Sequence, residues 1–481
     1  MRGAIALGLK PGPMLRCAPG FLPIPVNDPS TTGAPAAGAQ PRAVPGPRPA
    51  LRRGLGPLAL LATMTILQGA APYGTEEVIP MAGPGLALLV MAGMAVFWAL
   101  PYVLVVAELV SAMPDEGGIY RWLRAGMGPF WSFTFSILDW ITYILDGALY
   151  PPMVTSYLLT LLLPQPDPMT RWIVCLAVIW ICAGINIRGI RLVGGVSMAM
   201  SVVVLAPMVA IIFLALPHLT TIRLEPFIPP GQSLALSLNH ALVWALWHYS
   251  GYGALATAGE EIVDTPRNYP RMLAVFLPLN AVLFVMPLLA GLVAVPEWAS
   301  WKAAHFNQIA LVLGGTGLAA CMALGAQVGA VGIFNASLLS TSRMAYAMAR
   351  DRLLPRPLTR LHPRFGTPYV LITVQAVLYS ILTYFFTFID ILIVSTWLAL
   401  PVYLLQFATP IVLRLRRPDL VGRFRIPGGW TGVLLATLPP SAIAVYALAT
   451  VEHEHILTGL MFAALGPILY LFHRRRRSAA E

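Results

Sequence analysis

A few acidic residues lie within segments of this sequence that are otherwise apolar. Asp146 falls near the middle of one such segment, and Glu76 and Glu77 follow a break in another. A charged side chain at membrane depth is costly and usually belongs to a functional site. A buried carboxylate can bind an ammonium group, or it can carry a proton because burial raises its proton affinity. These are the two kinds of chemistry that the sequence indicates.

The stretch before Glu76 cannot continue as a regular helix. Gly69, Pro72 and Gly74 fall close together, and proline removes a backbone donor while glycine loosens the remaining turns. Inside a membrane such a break is tolerated only where protein or a water-filled cavity satisfies the freed backbone groups. A helix that simply ends here, with both acids in an outer loop, is the alternative. The candidate substrate-binding residues of this stretch are Gly69, Ala70, Ala71, Pro72, Tyr73, Gly74 and Glu76.

A second apolar segment, at about 234–258, is broken in a similar way. Gly251 and Gly253 lie in its interior. Glycines in membrane helices often serve close packing, so one such signal alone is weak. Two breaks that lie five segments apart are the pattern of transporters built from inverted repeats. The candidate substrate-binding residues here are Tyr249, Ser250, Gly251, Tyr252 and Gly253.

Asp146 shares one helix face with two other polar residues. Asp139 lies seven residues before it and Tyr150 lies four residues after it, so all three point in one direction. That face should turn towards the protein interior rather than the lipid. We predict that Asp146 and Tyr150 bind the substrate; a structural carboxylate bonded to a tyrosine is the alternative.

The composition identifies a membrane protein. The 481 residues are 58% hydrophobic and 11% charged, with a mean hydropathy of +0.75, whereas soluble domains carry about 25% charged residues. The four cysteines form no paired motif. Glu452 to His455 read as a short solvated turn, so we expect no metal site and no cofactor.

The apolar segments predict twelve transmembrane helices in an all-α fold. Successive loops can be assigned alternately to the cytoplasm and to the outside, starting with the N-terminus in the cytoplasm. Only three of the 31 Lys and Arg residues then fall outside: Arg171, Arg223 and Lys302. This asymmetry places both termini in the cytoplasm, and it explains the net charge of +11 without nucleic acid. The segments are about 57–80, 84–112, 129–162, 171–187, 192–216, 234–258, 270–295, 308–342, 369–388, 390–413, 430–450 and 456–473.

The breaks divide the membrane region into two halves of five helices, in which helices 1 and 6 correspond. An alternative reading of the N-terminal region is that the start codon is wrongly assigned and that the true start is Met14 or a later residue, which would leave the same composition. The expected organisation is a disordered cytoplasmic tail (1–54), a first repeat (55–216), a second repeat (217–429), helices 11 and 12 (430–473) and a basic cytoplasmic tail (474–481).

Several motifs resemble the amino acid–polyamine–organocation (APC) superfamily of secondary transporters, and in particular its polyamine uptake branch. The resemblance implies a LeuT-like fold with alternating access, and a substrate amine at Asp146. Helix 8 departs from the branch because Asn335 and Ser337 replace acids, although both keep hydrogen-bonding capacity and remain candidate binding residues. The motifs are A-E-L-V-S-A-M-P-D-E-G-G-I-Y-R-W (107–122), A-G-E-E-I-V-D-T-P-R-N-Y-P-R (258–271), G-A-A-P-Y-G-T-E-E (69–77), L-D-G-A-L-Y-P (145–151), N-I-R-G-I (186–190) and L-R-R-P-D-L-V-G-R-F-R-I-P-G-G (415–429).

We therefore predict a secondary active transporter, in a prokaryotic inner membrane, that imports an amino acid or a polyamine. The expected coupling ion is a proton carried by Glu76, Glu77 or Asp146. The sequence has no G-x-x-x-x-G-K-[ST] loop and no H-E-x-x-H or G-x-S-x-G motif, so we expect neither an ATP-driven pump nor an enzyme. A sensor that binds the ligand without moving it is the alternative, and no protein partner is predicted.

Overall fold

The computed structural model describes residues 51–69, 72–162, 167–385, 388–450, 461 and 463–471, and within these ranges it is helical throughout. The one strand-like pairing there is a bridge between Leu55 and Ile262. The helices are α1 (Pro57–Gly69), α2 (Val78–Ala82), α3 (Pro84–Met94), α4 (Leu100–Ala112), α5 (Ile119–Met127), α6 (Pro129–Leu162), α7 (Pro168–Arg188), α8 (Ile190–Ala215), α9 (Leu234–His248), α10 (Thr265–Ala294), α11 (Phe306–Arg350), α12 (Tyr369–Phe385), α13 (Phe388–Arg416) and α14 (Gly429–Ala449).

Seven helices in the described part of the chain are long and apolar enough to cross a membrane, fewer than the twelve segments that the sequence predicts. Two further apolar helices, Pro57–Gln68 and Tyr369–Tyr384, are shorter. α9 has only 15 residues because the chain leaves the helix at His248. The seven are Pro84–Ala112, Pro168–Arg188, Ile190–Thr220, Thr265–Ala294, Phe306–Arg350, Leu398–Arg416 and Gly429–Ala449.

Both predicted breaks interrupt the helical backbone. α1 ends at Gly69, and the helical path resumes at Thr75 with one 3₁₀ turn (Thr75–Glu77) before α2. The second break follows His248, and a 3₁₀ segment (Ala254–Glu261) continues from it. Gly74 and Gly251 have φ angles of 98° and 85°, which residues with a Cβ rarely adopt. The glycines therefore allow the chain to turn at each break.

The long helices α6 and α11 form the centre of the packing. α11 packs against α8, α6 and α1, and α6 also packs against α13. Pro84–Ala112 contains a π-helical turn at Ala95–Ala99, which places Trp98 in the core. Such turns inside α-helices often accompany functional sites.

Three charged residues, Glu116, Glu261 and Arg343, form a buried group that we call the acid–arginine cluster. The Arg343 guanidinium donates to both Glu261 oxygens, at 2.6 and 3.4 Å, and neither side chain is more than 2% exposed. Glu116 accepts a hydrogen bond from the backbone N–H of Glu260 at 3.2 Å. The Glu261 carbonyl accepts from the backbone of Gly54 at 2.9 Å. The cluster thus joins α11, the loop after α4, the second break and the segment before α1.

Removal of one partner from the buried pair should strongly destabilise the protein. In Glu261→Ala the buried Arg343 guanidinium would lose the carboxylate to which it is directly bonded, so we expect a loss of about 3–5 kcal/mol in the free energy of unfolding. The measurement is thermal or denaturant unfolding of the purified protein in detergent. The control is Glu260→Ala, whose partner Arg350 is one-third exposed, and this variant should lose at most about 1 kcal/mol. Equal losses in both variants would contradict the prediction.

The stability of the acid–arginine cluster should depend on pH through Glu116. Burial, and then the neighbouring Glu261 carboxylate, raise the pKa of Glu116 well above its ordinary value. A raised pKa stabilises the folded arrangement fully below the unfolded pKa, and this stabilisation is lost as pH rises through the folded pKa. Glu116→Gln should therefore flatten the fall of melting temperature with rising pH.

Asp115→Asn provides a matched control for that experiment, because Asp115 is the exposed neighbour of Glu116. This variant should retain the wild-type pH dependence of the melting temperature. If Glu116→Gln and wild type lost stability equally over the same pH range, Glu116 would not be the titrating group.

Candidate functional site

A central cavity of about 120 Å³ lies between α1, α6, α11, α13 and the end of α9. A buried water molecule needs about 10–15 Å³ measured in this way, so the cavity could hold about ten waters or a small organic solute. Its lining residues are Leu67, Gln68, Tyr73, Asp139, Thr142, Tyr143, Asp146, Tyr150, Met153, Leu246, Trp247, His248, Ser250, Gly251, Ala326, Ala330, Ile333, Ser337, Ser395, Ala399, Leu400 and Tyr403.

Asp146 is half-buried on the cavity wall formed by α6. The indole N–H of Trp247 donates to Oδ1 at 3.1 Å, and the Tyr150 hydroxyl donates to Oδ2 at 3.3 Å. Both donors are neutral, so they orient the carboxylate without neutralising it. No lysine or arginine lies among the described lining residues. The arrangement therefore presents an oriented acidic group, with no lysine or arginine beside it in the described lining, to whatever occupies the cavity.

Side chains from other helices satisfy the backbone carbonyls of the second break. The Gln68 amide donates to the Ser250 carbonyl, the Trp98 indole donates to Tyr249 at 3.0 Å, and the Tyr269 hydroxyl donates to Tyr252 at 2.9 Å. A break at membrane depth requires such partners, since lipid offers none. The carbonyls of these three residues are therefore already occupied by donors of the protein.

The first break satisfies its own polar groups in a different way. The backbone N–H of Gly74 donates to Glu76 Oε2 at 2.7 Å, and Glu76 is only 1% exposed. Tyr73 crosses to the opposite helices, where its hydroxyl donates to the Val204 carbonyl at 3.2 Å. That hydroxyl occupies the space beside Gly325, where a Cβ would be only 2.1 Å away. Glu76 therefore fills the position at which an outside anion would meet the Gly74 amide.

The structure brings part of the predicted binding set to the cavity. The residues that line it are Tyr73, Asp146, Tyr150, Ser250, Gly251 and Ser337. The described candidates that do not line it are Pro72, Gly74, Glu76, Tyr249, Tyr252, Gly253 and Asn335, and the proton-carrier candidate Glu77 does not line it either. Gly69 is the last residue of α1. The remaining two, Ala70 and Ala71, lie outside the described residues.

Three of the candidates away from the cavity have clear packing contacts. Asn335 accepts a hydrogen bond at 2.9 Å from the Asn186 amide and so links α11 to α7. The Tyr252 hydroxyl accepts from Asn280 at 3.0 Å. The ring of Tyr249 meets Phe284 edge-on, with the ring centroids 4.8 Å apart. These contacts hold helices together around the cavity.

Several lining residues were not singled out in the sequence. Gln68, Tyr143, His248 and Tyr403 reach the cavity from four different helices. Of these, Gln68 could most readily have been predicted from the sequence, because it is a polar amide directly before the first break in an apolar segment. The others could not be found from spacing alone, since aromatic residues are common throughout membrane helices. The described part of the chain contains no cluster of three metal-binding side chains.

The chain is similar in sequence to several known transporters. The chain is 28% identical over 433 residues to "Polyamine transporter PUT1" of Oryza sativa subsp. japonica, covering 88% of this chain and 79% of that protein. It is 27% identical over 424 residues to "Polyamine transporter RMV1" of Arabidopsis thaliana, covering 86% and 83%. It is also 24% identical over 431 residues to "Branched-chain amino acid permease BcaP" of Bacillus subtilis strain 168, covering 82% and 87%.

The sequence model described as amino acid permease matches residues 60–471, which is most of the chain. This match confirms the resemblance to the APC superfamily. Together with the seven apolar helices, it indicates an integral membrane protein and a transporter rather than an enzyme. The chain therefore belongs to the amino acid permease family.

Proposed function

We propose that this protein is a secondary active transporter that imports a polyamine, another organic cation or an amino acid by alternating access. The observation that carries the proposal is Asp146, whose carboxylate is held by Trp247 and Tyr150 on the wall of the central cavity. A carboxylate at membrane depth that faces a cavity, with only neutral donors around it, is suited to bind an ammonium group.

The cavity favours a cationic substrate over a zwitterion. An amino acid would need a partner for its carboxylate, but Glu76 already accepts the N–H of Gly74 at the first break. The described lining residues include no lysine or arginine that could replace it. Two of the similar proteins are named polyamine transporters, and one is named an amino acid permease. Polyamines are thus the preferred substrate class within the proposal.

We also propose the LeuT-like arrangement of twelve helices in two inverted repeats of five, within 55–216 and 217–429. Two features support it: the breaks in the chain after α1 and after α9, and the one-sided distribution of Lys and Arg, which favours cytoplasmic termini. In this orientation the acid–arginine cluster lies at the cytoplasmic end. It would then close that side while the cavity faces outwards.

A proton is the proposed coupling ion, with Glu76, Glu77 and Asp146 as candidate carriers. Glu76 is the strongest of the three for this role. It is almost fully buried, and it accepts a hydrogen bond from the neutral backbone N–H of Gly74. A carboxyl group in such a place can gain and lose a proton when hydration changes between states of the transport cycle.

Asp146→Asn should abolish recognition of cationic amines without loss of the fold. The amide keeps the size and one oxygen acceptor but removes the charge, so affinity should fall about tenfold or more. The measurement is counterflow of labelled spermidine in proteoliposomes, together with binding to the purified protein. The matched control is Asp419→Asn, because Asp419 is an exposed loop carboxylate. Unchanged affinity in Asp146→Asn would leave Asp146 a structural role only.

The same assay separates a transporter from a sensor. A transporter should exchange internal for external label, whereas a sensor should bind the amine with no exchange. Binding without counterflow would therefore overturn the proposal in favour of the sensor.

Glu76→Gln should uncouple uptake from the proton gradient. Uptake by the wild type should rise as external pH falls, because the inward proton gradient then increases. Glutamine keeps an oxygen for the Gly74 N–H but cannot carry a proton, so uptake by the variant should lose this dependence. The measurement is initial uptake rate against external pH, with Glu77→Gln as the neighbouring comparison. Full, pH-sensitive uptake in Glu76→Gln would remove Glu76 from the coupling mechanism.

A further inference from the structure

We propose that Asp139 is a second ammonium-binding residue, and that Asp139 and Asp146 together bind the two ends of a linear polyamine or long diamine. This inference rests on the proposed function, which assigns only Asp146 to the substrate amine. It adds a two-point site that selects for charge at both ends of the substrate and for the distance between them.

The spacing of the two acids on α6 places both of them on one face of that helix. Asp139 and Asp146 are seven residues apart, so their side chains leave the helix within about 20° of each other. The same seven residues advance about 10 Å along the helix axis. Both side chains line the same cavity, together with Thr142 and Tyr143 between them. The two carboxylates therefore stand one above the other along a single wall.

The surroundings of Asp139 are suited to an ammonium group. Asp139 is only 7% exposed, and no hydrogen bond or ion pair to its carboxylate is present within the described ranges. The rings of Tyr143 and Tyr403 line the cavity beside it. Ammonium groups bind favourably to carboxylates and to the faces of aromatic rings, most strongly when water is excluded. An ammonium group at Asp139 would therefore meet a negative charge and aromatic side chains together.

A structural ion pair would look different, as two other acids of this chain show. Glu261 is bonded to Arg343, and Glu108 receives two hydrogen bonds from Arg414. Glu76 and Glu116, which accept backbone N–H groups, are not among the residues that line the central cavity. Buried carboxylates normally have such partners because an unpaired charge is very costly. Asp139 lies beside an open cavity with none, so the missing partner is most simply a cation that enters the cavity.

The separation of the acids predicts the length of the substrate. An extended chain advances about 1.2 Å per single bond, so about eight bonds span the 10 Å between the two positions. A diamine with seven carbons has about eight bonds between its nitrogens, and a triamine with arms of three and four carbons has about nine, so both come close to this length. A short diamine would reach only one carboxylate at a time, and a monoamine has only one charge to place.

The test compares diamines with monoamines of equal chain length. Binding of α,ω-diaminoalkanes and of 1-aminoalkanes, both of increasing length, is measured on the purified full chain, and counterflow is measured in proteoliposomes. In the wild type the diamine should bind about tenfold tighter than the matched monoamine. The ratio of the monoamine Kd to the diamine Kd should be largest when about eight bonds separate the two nitrogens of the diamine. Asp139→Asn should reduce this ratio to near one while monoamine binding is retained, and Asp139→Glu should keep the preference for diamines.

Asp419→Asn is the matched control, and it should leave the ratio unchanged. A wild-type ratio near one at every length, or a ratio that survives in Asp139→Asn, would overturn the inference. It would also be overturned if Asp139→Asn removed only the pH dependence of uptake, since Asp139 would then carry a proton instead. If amines bind and need Asp146 but not Asp139, only this inference fails. If no amine binds or exchanges, the proposed function fails as well.

Discussion

The structure depends on the satisfaction of backbone polar groups where helices are broken inside a membrane. After α9 three side-chain donors, from Gln68, Trp98 and Tyr269, reach carbonyls of the break from three different helical segments. At the first break the chain provides its own acceptor, the carboxylate of Glu76. Lipid could supply neither kind of partner, so the surrounding helices must pack closely enough to deliver them. These contacts fix the backbone of the second break where Ser250 and Gly251 line the cavity.

The same constraint sorts the buried charges of the protein into two groups. Some are matched within the protein, as in the acid–arginine cluster and the bond from Arg414 to Glu108. Others face the cavity with neutral partners or with none in the described structure, as Asp146 and Asp139 do. Charges of the first kind hold segments together, because separating them exposes an unpaired ion. Charges of the second kind are available to a solute.

Much of this arrangement could be predicted from the sequence, because it follows from local rules. Proline and glycine mark the two breaks, and the seven-residue spacing places Asp139 and Asp146 on one face. The family resemblance, which the match to the amino acid permeases confirms, gave the functional class. What could not be predicted were contacts between distant segments. The Gln68–Ser250 bond and the Asn186–Asn335 bond each join residues far apart in the chain, and no local pattern indicates such partners.

The hydrogen bond from Gln68 to the Ser250 carbonyl has a mechanical consequence. It ties the last turn of α1 to the point where the chain leaves α9, three residues beyond the indole that holds Asp146. A tilt of α1 would therefore pull on the break, and the break would carry Trp247 with it. The orientation of Asp146 would then depend on the position of α1, although Asp146 is not directly bonded to α1. Through this linkage, a movement that opens one side of the protein would also change how firmly the solute is held.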